Sequence, residues 1–247
     1  MKFFIIFAGP NGSGKSSLNS SLKNTYPLFV NRGVSLDDVQ YINADFCART
    51  DPVVSRMPAG FEKDKAAWEA TERWRNSALE SGDNIIWETV FSDARRLDEI
   101  EKARFFGYYI IVIYVTTLSP AINIERIKCR VKSGGHGVPE DKVISRYHRS
   151  TNLLPEIILA ADDVIVYDNS SEYPVQTFYK LEKVYNILPF SKPPETDYFI
   201  ASKTDIGDKR YEWAVEHILN PLKERGCIVC ELAANDKVHD KDSMIKK

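Results

Sequence analysis

The sequence is poor in cysteine, in unbalanced charge and in long apolar runs, and each shortage removes a class of protein. Four cysteines in 247 residues, Cys47, Cys129, Cys227 and Cys230, are too sparse for a disulfide framework. A zinc site wants more Cys and His at fixed spacings. Cys227-Ile228-Val229-Cys230 is one CxxC in an apolar, extended stretch, where alternation turns the two thiols to opposite faces. Lysine and arginine total 33 against 35 acidic residues, for a net charge of −2, which argues against a chain that coats nucleic acid or anionic membrane. The apolar run from Phe3 to Ala8 is too short for a signal h-region or a membrane span, so a cytoplasmic protein is the expectation. No internal repeat and no low-complexity segment occurs.

What is present is the profile of a folded domain, 43% hydrophobic and 28% charged. The length suits one large α/β domain, or one of about 190 residues with a smaller appendix. Lys2 to Ala8 reads as a buried parallel strand, Gly-Pro-Asn-Gly as a tight turn, and Lys15 to Asn24 as a helix with Leu18 and Leu22 four apart. The alternation recurs as an extended Val39 to Ala44, a helix over Glu62 to Ser81, a strand Asn84 to Glu88 and a helix over Asp93 to Phe105. It continues as the very apolar strand Tyr108 to Thr116, a helix Pro120 to Lys132, a Gly-Gly loop, a helix from Pro139 to Asn152, and a strand Asp163 to Asp168. This spacing predicts βαβ units: an α/β fold whose parallel sheet carries helices on both faces, over residues 1–188. The stretch from Leu188 to Pro194 holds three prolines in seven residues and reads as a linker, 189–196. Residues 197–247 then read as a small βαβ extension with a polar tail: strand Tyr198 to Ser202, helix Asp208 to Arg225, strand Cys227 to Leu232.

Gly9-Pro10-Asn11-Gly12-Ser13-Gly14-Lys15-Ser16, continued by Ser17, fits G-x-x-x-x-G-K-[ST] at every fixed position and lies between a predicted strand and a predicted helix. Glycines let successive N–H groups curl around a β-phosphate. Lys15 reaches the β and γ oxygens, and Ser16 holds Mg²⁺. The guanine-reading Asn-Lys-x-Asp of switch GTPases and the Leu-Ser-Gly-Gly-Gln of ABC transporters are both missing. A small P-loop kinase instead needs an acceptor-activating carboxylate near the second strand and a mobile basic lid.

Both are present. Tyr41-Ile42-Asn43-Ala44-Asp45 places a carboxylate at the carboxyl edge of the sheet, where open α/β sheets bind ligands. Asp45 is the candidate general base, with a helix N-cap or loop aspartate as the competing role. Ile85-Ile86-Trp87-Glu88-Thr89 brings Glu88 and Thr89 to the same edge. Glu88 suits Mg²⁺-bound water or a substrate hydroxyl, or is a buried, paired glutamate. Glu125 to Pro139 is basic, then glycine-hinged through Ser133-Gly134-Gly135-His136-Gly137, then restarted by proline. Arg126 and Arg130 share one helix face, and Lys142, Arg146 and Arg149 another, so two basic faces can close on polyphosphate. A solvated charged face is the ordinary alternative.

With these residues the chain resembles the zeta toxin family of P-loop kinases. The resemblance rests on AGPNGSGKSS, INAD, ETVFS, RVKSGGHGVP, RYHRS with Asn152-Leu153 beyond it, and Asp168-Asn169-Ser170. It implies ATP- and Mg²⁺-dependent phosphorylation of a hydroxyl on a UDP-activated amino sugar, typically UDP-N-acetylglucosamine. By motif position Asp45 matches the family's acceptor-activating aspartate and Glu88 its strand-end glutamate, with Asn169 near adenine and His136 in the substrate-facing lid. The family carries an arginine before a Thr-Pro pair where this chain has His136 before Val138-Pro139. The phosphate clamp therefore passes to Arg126, Arg130 or Arg146. The family also implies a helical antitoxin. No spare amphipathic bundle is seen in the chain, so either that partner is separate or the protein is a plain metabolic kinase. Residues 197–232 fall outside the resemblance and are similar to the opening βαβ of flavodoxin-type domains. A kinase of a nucleoside, antibiotic or nucleic-acid end, and a nucleotide-binding regulatory module, stay open as alternatives.

Overall fold

In the computed structural model, which describes residues 1–22, 39–171, 175–180, 198–202 and 209–232, the apolar opening forms β1 (Lys2–Ala8). Its side chains alternate between two cores. Phe4, Ile6 and Ala8 join one cluster, and Phe3, Ile5 and Phe7 the other, which is what a parallel strand covered on both faces requires. The strand ends in the phosphate loop, and α1 (Lys15–Leu22) follows. Then come β2 (Gln40–Ile42), α2 (Ala44–Thr50), a 3₁₀ turn at Val54–Arg56, and the long α3 (Phe61–Ser81). Helix α3 carries Glu62 and Asp64 in its first turn and stops at Gly82, a left-handed cap at φ +80°.

Strand β3 (Ile85–Thr89) leads through a 3₁₀ turn at Ala94–Arg96 into α4 (Leu97–Phe105). Strand β4 (Tyr108–Thr116) is buried along all nine residues. After it come α5 (Pro120–Lys132), α6 (Glu140–Asn152), α7 (Leu154–Ala160) and β5 (Asp163–Asp168). Strands β2, β3, β1, β4 and β5 lie side by side in that order, all parallel. All five therefore deliver their carboxyl ends to one edge of the sheet.

The sheet runs on past β5. Strand β6 (Val175–Lys180) is antiparallel to β5 and to β7 (Tyr198–Ser202), and β7 pairs in parallel with β8 (Ile228–Leu232). Between β7 and β8 lie α8 (Lys209–Ala214), a π-helical turn at Val215–Leu219, and α9 (Asn220–Glu224). From Lys209 to Glu224 the chain is helical throughout, as read over Asp208 to Arg225, but Pro221 has no N–H to give to the carbonyl of His217 and the run passes through the π-helical turn. Trp213, Ala214, Ile218, Leu219 and Leu222 pack into the same cluster as Leu154, Ile157 and Ile158 of α7.

Two further expectations change. The extended segment to Ala44 ends at Ile42, because Asn43 caps a helix: its side chain accepts from the Phe46 N–H at 3.1 Å. Asp45 and the residues up to Thr50 therefore belong to the helix α2. The helix from Asp93 opens as a 3₁₀ turn, with Asp93 accepting from the Arg95 N–H. Helix α7 and strand β6 were not read from the sequence, since Asn152-Leu153-Leu154-Pro155 looks like a helix end and β6 follows a polar turn. The linker 189–196, the polar tail from 233 and Asn24 lie outside the described residues. No helix among the described residues is long and apolar enough to cross a membrane.

Candidate active site

The loop between β1 and α1 takes its shape from glycines that no other residue can replace. Gly9 sits at φ +137°, where a Cβ would lie 2.0 Å from the Val115 carbonyl oxygen of the neighbouring strand. Gly14, at φ +92°, would bring a Cβ within 2.3 Å of the Asn169 amide nitrogen. Asn169 stands just beyond β5 and donates from Nδ2 to the Ser13 carbonyl at 2.8 Å. Thus β4 and β5 press the loop from below, although β5 follows it by about 150 residues of chain.

Lys15 is buried inside this curl. Its Nζ donates to the carbonyls of Gly9 and Pro10, each at 2.9 Å. Burial lowers its pKa to about 8, with Glu88 and Asp45 pulling back upward and Arg130 pushing down. A bound polyphosphate restores the charged form, so ATP binding near pH 9 should take up a proton. ATP affinity should rise as pH falls from 9.5 to 7.5. Calorimetry in buffers of different ionisation heat measures that uptake, and a pH-independent affinity with no uptake would contradict it.

Ser16 Oγ donates to Glu88 Oε1 at 2.8 Å, and Tyr41 Oη donates to Glu88 Oε2 at 2.6 Å. Burial and the neighbouring Glu88 carboxylate push the Tyr41 phenol well above its usual range. Tyr41 therefore holds its proton toward Glu88 and fixes the carboxylate at the strand end. Of the two roles weighed for Glu88, this geometry gives it partners and leaves it beside Ser16.

A cleft of about 750 Å³ opens above the loop. Its floor is Gly12, Gly14, Lys15, Ser16 and Ser17, and Asn169 borders it. Arg126 and Arg130 of α5 and Arg146 of α6 line one wall. Arg146 Nη1 donates to Asn11 Oδ1 of the loop at 3.2 Å, so it touches the phosphate loop with no closing movement. Arg130 donates from Nη2 to the His136 carbonyl, which folds the glycine hinge back over α5. The exposed His136 does not border the cleft, and Arg149 is exposed away from it.

Asp45 lies on the opposite wall in the first turn of α2, exposed to the cleft. The cap of that helix is Asn43, so Asp45 has no capping duty. Thr89, at the end of β3, borders the same cleft, and two residues on Phe91 sits at φ +51°. For a bulky residue this conformation is strained, and such strain collects at functional sites. Here it turns Ser92 and Asp93 into the cleft lining.

Sequence reading missed the outer wall, formed by Trp68, Thr71, Glu72 and Arg96. Arg96 Nη1 donates to Glu72 Oε1 at 2.7 Å and lies over the Trp68 and Trp87 rings at 5.7 and 5.4 Å. Glu72 also accepts both arms of the fully buried Arg75, which bridges to Glu99 at 2.6 Å. The i, i+3, i+4, i+7 spacing of Trp68, Thr71, Glu72 and Arg75 was the available signal, a polar and aromatic stripe where an apolar one is expected.

Basic side chains and the glycine loop line one part of the cleft, and carboxylates another. On this sheet, that arrangement defines the P-loop kinases, which are phosphotransferases. The chain belongs to the zeta toxin family, whose model matches residues 2–176. An uncharacterized protein of Haemophilus influenzae is 28% identical over 143 residues, 58% of this chain and 91% of that one. Among solved structures, the AvrRxo1-ORF1:ORF2 complex aligns with a TM-score of 0.55 at 13% identity. It covers 73% of this chain, which in turn spans 59% of the AvrRxo1 chain. The PezAT toxin–antitoxin system of Streptococcus pneumoniae aligns at 0.47 and 14% identity, over 70% of this chain and 72% of its own.

Proposed function

We propose that the protein transfers the γ-phosphoryl group of ATP to a hydroxyl of a UDP-activated amino sugar bound between Asp45 and the Trp68–Arg96 wall. The observation that carries this reading is the placement of Asp45 and Lys15 on one cleft, with three arginines facing it from α5 and α6. A polyphosphate fits the loop, because the buried Lys15 has only backbone carbonyls for partners and the glycine curl leaves no Cβ in the way. The AvrRxo1-ORF1:ORF2 complex has also been solved with ATP, which supports the nucleotide by analogy. Ser16 and Glu88, already side by side, would supply oxygens for Mg²⁺, which would add positive charge beside the transferring phosphate.

Asp45 accepts the proton of the acceptor hydroxyl while the oxygen of that hydroxyl forms a bond to the γ-phosphorus. The bond from that phosphorus to the bridging oxygen breaks, and ADP leaves with the electron pair. Lys15, Arg130 and Arg146 hold the equatorial oxygens and the leaving phosphate. Gly9 through Ser17 bind the triphosphate, Asn169 borders the adenine side, and Thr89 orients the acceptor beside Asp45. His136 stays a candidate acceptor contact only through movement of its hinge.

The antitoxin implied by family membership is proposed as a separate protein covering this cleft, and the split at 189–196 as the boundary of the kinase part. Incubation with Mg²⁺-ATP and a panel of UDP-sugars, nucleosides, aminoglycosides and oligonucleotides, read by mass for one added phosphoryl group, tests the acceptor. Phosphorylation of another class would replace the UDP-sugar. Tight ATP binding with no acceptor modified would favour a regulatory module. Arg130→Ala and Arg146→Ala should each lower the rate at saturating ATP by about 10 to 10² fold, the loss of a charge-assisted contact, and change the ATP dissociation constant far less. Weakened binding with an unchanged saturated rate would assign them to ground-state binding.

A further inference from the structure

The C-terminal segment lies outside the residues that the family model matches, yet it touches the helix that carries Arg146. Trp213 of α8 is 6% exposed, and its Nε1–H donates to Tyr147 Oη at 3.1 Å. Tyr147 in turn donates its hydroxyl proton to the Thr117 carbonyl, one residue beyond β4. Thr117 Oγ1 donates to Asn123 Oδ1, and the Asn123 carbonyl packs against Gly12 of the phosphate loop. Hydrogen bonds thus run from the extension through Tyr147 and Thr117 to Asn123, whose backbone packs against the loop.

Tyr147 and Arg146 are neighbours on α6, about 100° apart around the helix axis. Holding the Tyr147 hydroxyl at a fixed point therefore fixes the rotation of α6 and the direction in which Arg146 leaves it. Two more contacts keep Trp213 from drifting. Its ring packs on His217 at 5.0 Å between centroids, and Arg225 bridges to Glu156 of α7 at 2.5 Å. The π-helical turn after Ala214 adds a residue to the helix, so Trp213 and the buried pair Ile218 and Leu219 reach one apolar cluster.

We infer that Trp213 is a positioning residue for Arg146, and that the C-terminal segment acts as a latch setting the basic helix of the nucleotide site. The catalytic consequence rests on the kinase reading; the latch itself does not.

Trp213→Phe keeps an aromatic ring in the packed site and deletes the donor, and Tyr147→Phe removes the same bond from the other side. Both should speed amide exchange over residues 140–152 while exchange in α3 stays at the wild-type rate. With ATP and UDP-N-acetylglucosamine, Trp213→Phe should lower kcat about three- to tenfold, the range of one lost neutral hydrogen bond, with KM for ATP within about twofold. In an Arg146→Ala background Trp213→Phe should cost nothing more, because the arm it positions is gone. Unchanged exchange over 140–152 in both variants overturns the latch. Equal losses in the two backgrounds overturn its action through Arg146. If the wild-type protein turns over no acceptor, the kinase reading fails on its own and the exchange comparison still decides the latch.

Discussion

Lys15→Ala is expected to lower phosphoryl transfer by roughly 10³ or more while the protein stays folded, since a charge aimed at the transferring group acts at full strength in a water-poor site. The structure separates this loss from a folding defect. Lys15 is held only by two carbonyls of its own loop, and burial brings its pKa to about 8. Between the ordinary lysine value and pH 8 the unfolded chain binds a proton that the folded chain refuses. Stability from this group therefore falls as pH drops through that window and stays low beneath it. Removing the amine relieves that cost, so the melting temperature of Lys15→Ala near pH 7 should equal or exceed wild type. ADP release and a thermal melt on the same sample check both halves, and undiminished turnover in a folded variant would sink the kinase reading.

Asp45→Asn keeps the shape of the α2 first turn but cannot accept a proton, and should slow transfer by roughly 10² to 10⁴. Its effect on ATP binding should be small, because Asp45 faces the loop from across the cleft and holds none of its backbone. Helix α2 should also persist, since Asn43 supplies the cap. The discriminating measurement is single-turnover phosphoryl transfer beside an ATP titration. A rate within a few fold of wild type would move the base elsewhere, to another carboxylate lining the cleft such as Asp93.

The phosphate loop was legible because its chemistry is local: eight consecutive residues between an apolar run and a helix leave little choice of backbone path. The five parallel strands were equally legible, each being a short β-branched or aromatic run between helical periods. Glu88 was visible as a strand-end carboxylate, but its partner Tyr41 was not. A hydroxyl 47 residues away in sequence becomes a neighbour only when β2 pairs with β3 in the register that sets Tyr41 opposite Ile86.

Arg96, Glu72 and Trp68 were missed for a similar reason. Each looks like ordinary helix-surface composition until α3 and the turn before α4 are laid against the β3 end. Trp213 is the extreme case, lying past residues that carry no motif and bonding to Tyr147 across 66 positions. Local propensity and hydrophobic period decided which segments became strands and helices, and the glycine pattern decided where phosphate would sit. Which side chains share the cleft and which helix is held to which was decided by sheet order and core packing, because those contacts join distant parts of the chain and exist only once the apolar faces have been buried.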